Sequence, residues 1–383
     1  MLIESIQLRE LSLPIVSPFT TSFGTQTVRN TYLLRIAGTV RTAQGTESVV
    51  GWGECVSLSD PVYSSEYLRG AREVTERYLV PALFAAQESG REITAETVAS
   101  VLEHIVGHRM AKSALEMAVL DAQLRGHGIS FASYFGATRT AVPSGVSVGI
   151  QDSIDDLLGA VGGYLEEGYV RIKLKIQPGW DIEPVAAVRR AFGDDVPLQV
   201  DANAAYTLVD ARLLRRLDDY GLLLIEQPLA EDDLVQHAKL AQMMHTPICL
   251  DESIESAKDT ADAISLGAAS VINVKPGRVG GYLEARRIHD LARAHGVAVW
   301  CGGMLETGLG RAANTALAAL DGFTLPGDIS ASDRFYRQDI TEPFVLRDGM
   351  IDVPQGPGLG VSPIPEVLDA LAAAPVELWP AAH

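Results

Sequence analysis

Five ionisable residues close five successive apolar runs of this chain: Lys175 after "IKL", Asp201 after "LQV", Glu226 after "LLLI", Asp251 after "ICL" and Lys275 after "VINV". The intervals of 26, 25, 25 and 24 residues each match one short strand, a helix and the return. Where parallel strands close into a barrel, their C-terminal ends meet on one face, the usual place for an active site. Lys, Asp, Glu, Asp and Lys would then follow one another around that face. Three neighbouring carboxylates without a cation push one another's pKa upward. A hard divalent ion bound through oxygen resolves that conflict. Three carboxylates with room left for water and substrate suit Mg2+, with Mn2+ or another divalent ion as a substitute. Zinc fits less well, because none of these five strand ends carries His or Cys as a ligand. Lys175 and Lys275 would face each other across the ion. A substrate carboxylate bound there would present its α-carbon between them, one lysine removing or returning the proton while the Lewis acid stabilises the enediolate.

The stretch "VRIKLKI" places Arg171, Lys173 and Lys175 on one face of a strand and its apolar residues on the other. Lys173 is expected to lower the pKa of Lys175 by like-charge repulsion, making it a usable base near neutral pH. Taken singly, a strand-end Asp is commonly a helix N-cap and a strand-end Lys a snorkelling surface residue. Five in register, with their signs ordered in this way, argue against independent caps. Glu252, beside Asp251, suits either support for the ligands or a solvent-facing cap. Glu306, in "CGGMLETG", is a candidate for the pocket mouth. "GRVGG" and "GPGLG" lack the full G-x-G-x-x-G fingerprint and read as turns.

The elements that must hold these residues begin near residue 142. "VPSGVSVGI", "YVRIKLKI", "PLQVDAN", "GLLLIEQP", "TPICLDES", "SVINVKP" and "VAVWCGGM" are strand-like runs separated by helical stretches. Successive βα units make a parallel sheet, covered on both faces. Residues 1–130 carry alternating strands at Ile3–Pro14, Thr31–Ile36 and Ser48–Glu54, then helical periodicity in "HRMAKSALEMAVLDAQLRG" closed by Gly126, which together read as an α+β module. Its loops at 17–26 and 56–66 carry Phe19, Phe23 and Tyr63 and are candidate lids. From 338 the chain reverts to strands, with a hairpin turn at Asp348-Gly349, read as returning to the first module.

With 383 residues, 47% of them hydrophobic, the chain can bury a large core. A net charge of −18 disfavours nucleic acid and anionic membrane as partners. Cys55, Cys249 and Cys301 form no C-x-x-C, which fits a reducing compartment. "MLIESIQLRE" reads as a first strand rather than a signal peptide, and no apolar run approaches the roughly 18 residues of a membrane span. A cytoplasmic enzyme is expected.

Lys173-x-Lys175, "VDAN", "IEQP", "LDES" and "NVKPGRVGG" together resemble the enolase superfamily, and within it the muconate lactonizing enzyme subgroup. "SPFTTSFGTQ", "GWGECV", "GHRMAKSALEMAVLD", "WCGGMLETGLGRAAN" and "FTLPGDISASDRFY" resemble the o-succinylbenzoate synthases that also act as N-succinylamino-acid (N-acylamino-acid) racemases. The resemblance spans essentially the whole chain. It implies an α/β fold, a modified (β/α)7β barrel over residues 131–337 beneath an α+β cap built from 1–130 and from a returning segment, 338–383. Asp201, Glu226 and Asp251 match metal ligands, Lys175 and Lys275 the acid/base pair, and Lys173 the assisting lysine near the substrate carboxylate. Phe19, Phe23, Leu58 and Tyr63 match cap-loop substrate contacts, while Ser147, Asn203, Gly303, Met304 and Leu305 match barrel-end contacts. The implied reactions are dehydration of a cyclohexadiene carboxylate (SHCHC) to o-succinylbenzoate, in menaquinone biosynthesis, and racemisation of N-succinylamino acids. A small carboxylate substrate and a homo-oligomeric state are implied as well. "IAGTVRTAQGTESVV" looks longer than the usual connection and is expected to be a surface extension.

Among rivals, an acid-sugar dehydratase lacks its catalytic His, and a dipeptide epimerase lacks its Asp-x-Asp, since Asp328 is followed by Ile329 and Ser330. Muconate cycloisomerase stays open. A non-catalytic, metal-stabilised binding barrel has no use for two buried amines around an ion.

Overall fold

Threonine-rich, alternating sequence makes three long strands at the N-terminus, β1 (Leu2–Thr21), β2 (Gly24–Thr42) and β3 (Gly45–Cys55), in a computed structural model that describes residues 1–379. They pair antiparallel in sequence order. The stretch expected as a loop at 17–26 is mostly ladder. Phe19, Thr20 and Thr21 pair with Gln26, Thr25 and Gly24, leaving Ser22-Phe23 as the turn. Threonine's β-branching favours the ladder, and Pro18 falls in the register break between Pro14 and Phe19. The segment 37–50 is likewise a paired hairpin that extends over the surface.

The helix Arg109–His127 lies across β3 at very short range. A Cβ on Gly51 or Gly53 would stand 2.1 or 1.9 Å from the carbonyl oxygen of Ala118 or Ala114. Glycine at two alternate strand positions therefore admits the helix backbone. Gly126 does not end this helix: it packs inside, against Val40 and Val49, and Gly128, with φ +67°, forms the left-handed cap.

The parallel sheet contains seven strands in sequential order. They are preceded by β4 (Ala141–Pro143), and run β5 (Gly145–Val148), β6 (Arg171–Lys175), β7 (Leu198–Asp201), β8 (Ile225–Glu226), β9 (Ile248–Leu250), β10 (Val271–Val274) and β11 (Ala298–Cys301). Isolated parallel bridges Val299↔Phe323 and Ser144↔Gly327 join an irregular segment, 323–328, to β11 and to the chain leading into β5. That segment is the eighth stave and closes the barrel. The hairpin at Asp348-Gly349 forms between β12 (Leu346–Arg347) and β13 (Met350–Asp352), both turn residues having positive φ. It pairs with β4 and not with the first sheet. The chain returns there later, through an antiparallel bridge from Ala372 to Leu11 and then β14 (Val376–Trp379), which adds to the edge of β1. Among the described residues no helix is long and apolar enough to cross a membrane.

Candidate active site

Register brings the strand ends level. Lys175 pairs with Asp201 and Asp201 with Glu226, while Glu226 pairs with Cys249, so Asp251 follows two residues later, directly after β9. Lys275 directly follows β10. The three carboxylates therefore occupy adjacent staves, with Lys175 one stave before them and Lys275 one stave after. Each carboxylate residue is at most 1% exposed. None caps a helix: Asp201 accepts from the backbone N–H of Asn203 at 3.0 Å, in a tight turn. The turn residues Asn203, Ala204 and Gln227 hold left-handed φ values of 41°, 60° and 36°, strain of the kind that concentrates at functional sites. Gln227 Oε1 accepts the Asp251 N–H at 3.0 Å and steadies the next stave.

The lysines reach directly into this group. Lys175 Nζ lies 2.5 Å from Asp201 Oδ2 and 2.7 Å from Asn203 Oδ1. Lys275 Nζ lies 2.7 Å from Asp251 Oδ2 and 3.2 Å from the Tyr63 hydroxyl, with the Tyr63 ring centre 4.6 Å away. Lys173 Nζ stands 2.9 Å from Glu226, 3.4 Å from Asp201 and 2.6 Å from Asp328. Three carboxylates thus surround the Lys173 ammonium, which does not stand beside Lys175 as an unpaired charge. Burial opposes the Lys173 charge, but Asp328, Glu226 and Asp201 outweigh burial and raise its pKa above the lysine range. Lys275 is raised too, burial being outweighed by Tyr63 and the acidic groups around it. Burial would lift Asp201, yet Lys175 and Lys173 hold it at about 2. Glu226 moves the other way, raised by burial and by the Asp201 charge.

The donor set fits a hard cation. Asp201, Glu226 and Asp251 are buried on three adjacent staves and offer only oxygen, the donor atom a hard cation takes. Among the described residues no three acidic, His or Cys side chains converge in ligating geometry; Lys173, Lys175 and Lys275 each pair with a carboxylate of the trio and supply countercharge. Glu252 is no surface cap. It is buried, accepts from Asn203 Nδ2 at 2.9 Å, keeps its other oxygen unpartnered, and is pushed up to about 7 by burial and by Asp201.

A cavity of about 770 Å³, counting its open mouth, lies above the lysines. Phe19, Phe23, Leu58 and Tyr63 line it from the first module, and Ser147, Asn203, Gly303, Met304 and Leu305 from the barrel end, together with Lys173, Lys175 and Lys275. Glu306 lies on the same wall. Several polar residues here escaped the sequence reading. Asn273 Nδ2 donates to Glu226 at 2.6 Å; its place two residues before Lys275 on one strand face was the available signal. Arg278 pairs with Asp251 and is visible as the i+3 neighbour of Lys275. Asp328, weighed in the sequence only against the Asp-x-Asp of dipeptide epimerases, lines the cavity from the end of the irregular eighth stave.

Residues 157–367 match the enolase C-terminal domain-like family, and residues 5–136 match the N-terminal domain of mandelate racemase and muconate lactonizing enzyme. The chain belongs to the enolase superfamily. An Amycolatopsis protein named N-succinylamino acid racemase is 63% identical over 98% of this chain and 99% of its own length. An o-succinylbenzoate synthase of Geobacillus kaustophilus is 46% identical over 94% and 92%. A crystal structure of an enolase-superfamily member from Listeria innocua superposes with TM-score 0.91 at 40% identity, covering 98% of this chain and 99% of that one. The chain is accordingly an enzyme of this superfamily, whose members of the mandelate racemase and muconate lactonizing branch depend on divalent metal.

Proposed function

We propose that this enzyme abstracts the proton α to a carboxylate, as an o-succinylbenzoate synthase, an N-succinylamino-acid racemase or both. The observation that carries the reading is the pair Lys175 and Lys275, one on each side of the carboxylate trio and both opening into the cavity. Asp201, Glu226 and Asp251 would hold Mg2+, with Mn2+ as a substitute. Bound there, the ion supplies Lewis-acid stabilisation of the charge that develops on the substrate carboxylate.

In the racemase reaction one lysine takes the α-proton and the other, on the opposite face, returns one, so composition is unchanged and only handedness inverts. In the synthase reaction Lys175 takes the proton and then protonates the departing hydroxyl, so SHCHC loses one water; Lys275 stabilises the anion by a cation–π contact. Lys173, facing the cavity, is the assisting cation for the substrate carboxylate. Asn203 and Ser147 supply polar contacts, while Phe19, Phe23, Leu58, Tyr63, Gly303, Met304 and Leu305 shape the pocket and exclude water. Asp328 is already engaged by Lys173 and Arg171, which leaves it unsuited to a substrate amino group and disfavours dipeptide epimerisation. The three cysteines are buried free thiols, which supports a cytoplasmic setting.

The test is turnover of SHCHC beside deuterium exchange at Cα of both enantiomers of N-succinylphenylalanine, with Mg2+. Lys175→Ala and Lys275→Ala should each abolish racemisation, with each variant losing exchange from the enantiomer its lysine deprotonates. Absence of exchange and of SHCHC turnover in the wild type would end the proposal.

A further inference from the structure

Lys173 is drawn in two directions around the barrel. Asp201 and Glu226, on the two staves that follow β6, hold its ammonium at 3.4 and 2.9 Å. Asp328 reaches it at 2.6 Å from the opposite direction, across β5 from the eighth stave. The backbone N–H of Asp328 donates to Cys301 O at 2.9 Å, which anchors the end of that stave to β11. Its other carboxylate oxygen lies 2.8 Å from Arg171 Nη1, while Ser147 Oγ donates at 3.3 Å to the oxygen that Lys173 contacts. Arg171 and Lys173 lie 5.3 and 4.7 Å from the centre of the buried Trp300 ring, so an apolar wall restricts where either cation can go.

A divalent ion on Asp201, Glu226 and Asp251 would take two of the three anions that Lys173 now holds, and would repel the ammonium as well. Lys173 is 2% exposed, so little water reaches its ammonium and the loss of two anionic partners is costly. Among the described residues, Asp328 is the carboxylate outside the trio that pairs with this ammonium. We propose that Asp328 is a positioning residue: it draws the Lys173 ammonium off the carboxylate trio toward the cavity, and so sets how tightly the trio takes up a divalent cation. This rests on the metal reading given above. It makes the irregular closing stave a determinant of cation affinity, although none of its residues is a ligand. With Asp328 neutralised, Lys173 keeps only Asp201 and Glu226 and competes for the oxygens the ion needs.

The experiment is Mn2+ titration of the whole protein, followed by calorimetry and by the electron paramagnetic resonance of free Mn2+. It compares wild type, Asp328→Asn, Lys173→Met and the double variant. Asp328→Asn should weaken Mn2+ about tenfold, the scale of lost outer partners of a metal site. Lys173→Met should bind at least as tightly as wild type, and in that background Asp328→Asn should change affinity by no more than about twofold. Equal losses in both backgrounds would show that Asp328 acts on the cation without Lys173 and overturn the proposal. Absence of Mn2+ binding to wild type would instead sink the metal reading, whereas wild-type binding unaffected by Asp328→Asn would sink only this inference. Because Asp328→Asn deprives buried Arg171 of its carboxylate, leaving it backbone carbonyls such as that of Pro326, Asp328→Glu runs alongside. It retains the charge, moves it by one methylene, and should give a smaller loss that Lys173→Met again removes. If the Asn variant does not fold, the Glu pair decides the matter by the same criterion.

Discussion

Gly302 lies directly after β11, and its missing side chain leaves the space that Lys275 and Asn273 occupy. A Cβ built there would stand 2.7 Å from Lys275 Cε, 2.3 Å from Asn273 Oδ1 and 2.7 Å from Asn273 Nδ2. To reach ordinary contact at 3.4 Å, Lys275 must retreat by about 0.7 Å and Asn273 by about 1.1 Å. Neither has slack. Lys275 is tied to Asp251 and Tyr63, and Asn273 to Glu226. Gly302→Ala therefore displaces a catalytic amine and the partner of a carboxylate in one step. A misplacement near 1 Å costs on the order of a hundredfold in rate, whereas overpacking costs about 1–3 kcal/mol in stability. The assay is Cα deuterium exchange of N-succinylphenylalanine with Mg2+, read by NMR, beside thermal unfolding. kcat should fall about a hundredfold in a protein that remains folded. Gly303→Ala is the comparison: its Cβ would meet Asp328 O at 3.0 Å and Glu306 at 3.3 Å and would leave Lys275 untouched, so the loss should be smaller. A folded Gly302→Ala protein with wild-type exchange would refute the claim that Lys275 acts from this position.

Gly53→Ala should cost about 3 kcal/mol or prevent folding, because its Cβ would meet the Ala114 carbonyl at 1.9 Å; urea unfolding measures it, and an unchanged midpoint would deny that β3 and the helix are packed this closely. Burial lifts Glu54 to about 7, although it accepts from the N–H and hydroxyl of Thr307 and the N–H of Gly310. The folded state then keeps a proton that the unfolded chain releases, so this contribution, about 3 kcal/mol, is complete below pH 4.5 and lost as pH rises through 7. Glu54→Gln should flatten the fall in stability between those values, and an unchanged slope would count against it. Chelation should abolish exchange, and Mg2+ restore it, while the stripped protein keeps its far-UV circular dichroism because Lys173, Lys175 and Lys275 still pair with the carboxylates. Unfolding on chelation would contradict that.

The chemistry was legible along the chain because strand-end residues of successive βα units recur at nearly constant spacing and parallel register then aligns them. Lys175, Asp201, Glu226, Asp251 and Lys275 could be located from local pattern alone, as could the seven regular staves. The eighth stave could not, since "FTLPGD" has no alternation and contains Pro326; only its bridges to Val299 and Ser144 make it part of the barrel. The contacts of Asp328 were hidden for the same reason, since they are made to residues more than 150 positions away. The balance of charge around Lys173 was also beyond local reading: strand alternation says which way a side chain points, but a partner across the barrel sets what it meets. Folding alone decides that, because it removes water from these groups and leaves each charge only the neighbours that packing has placed beside it.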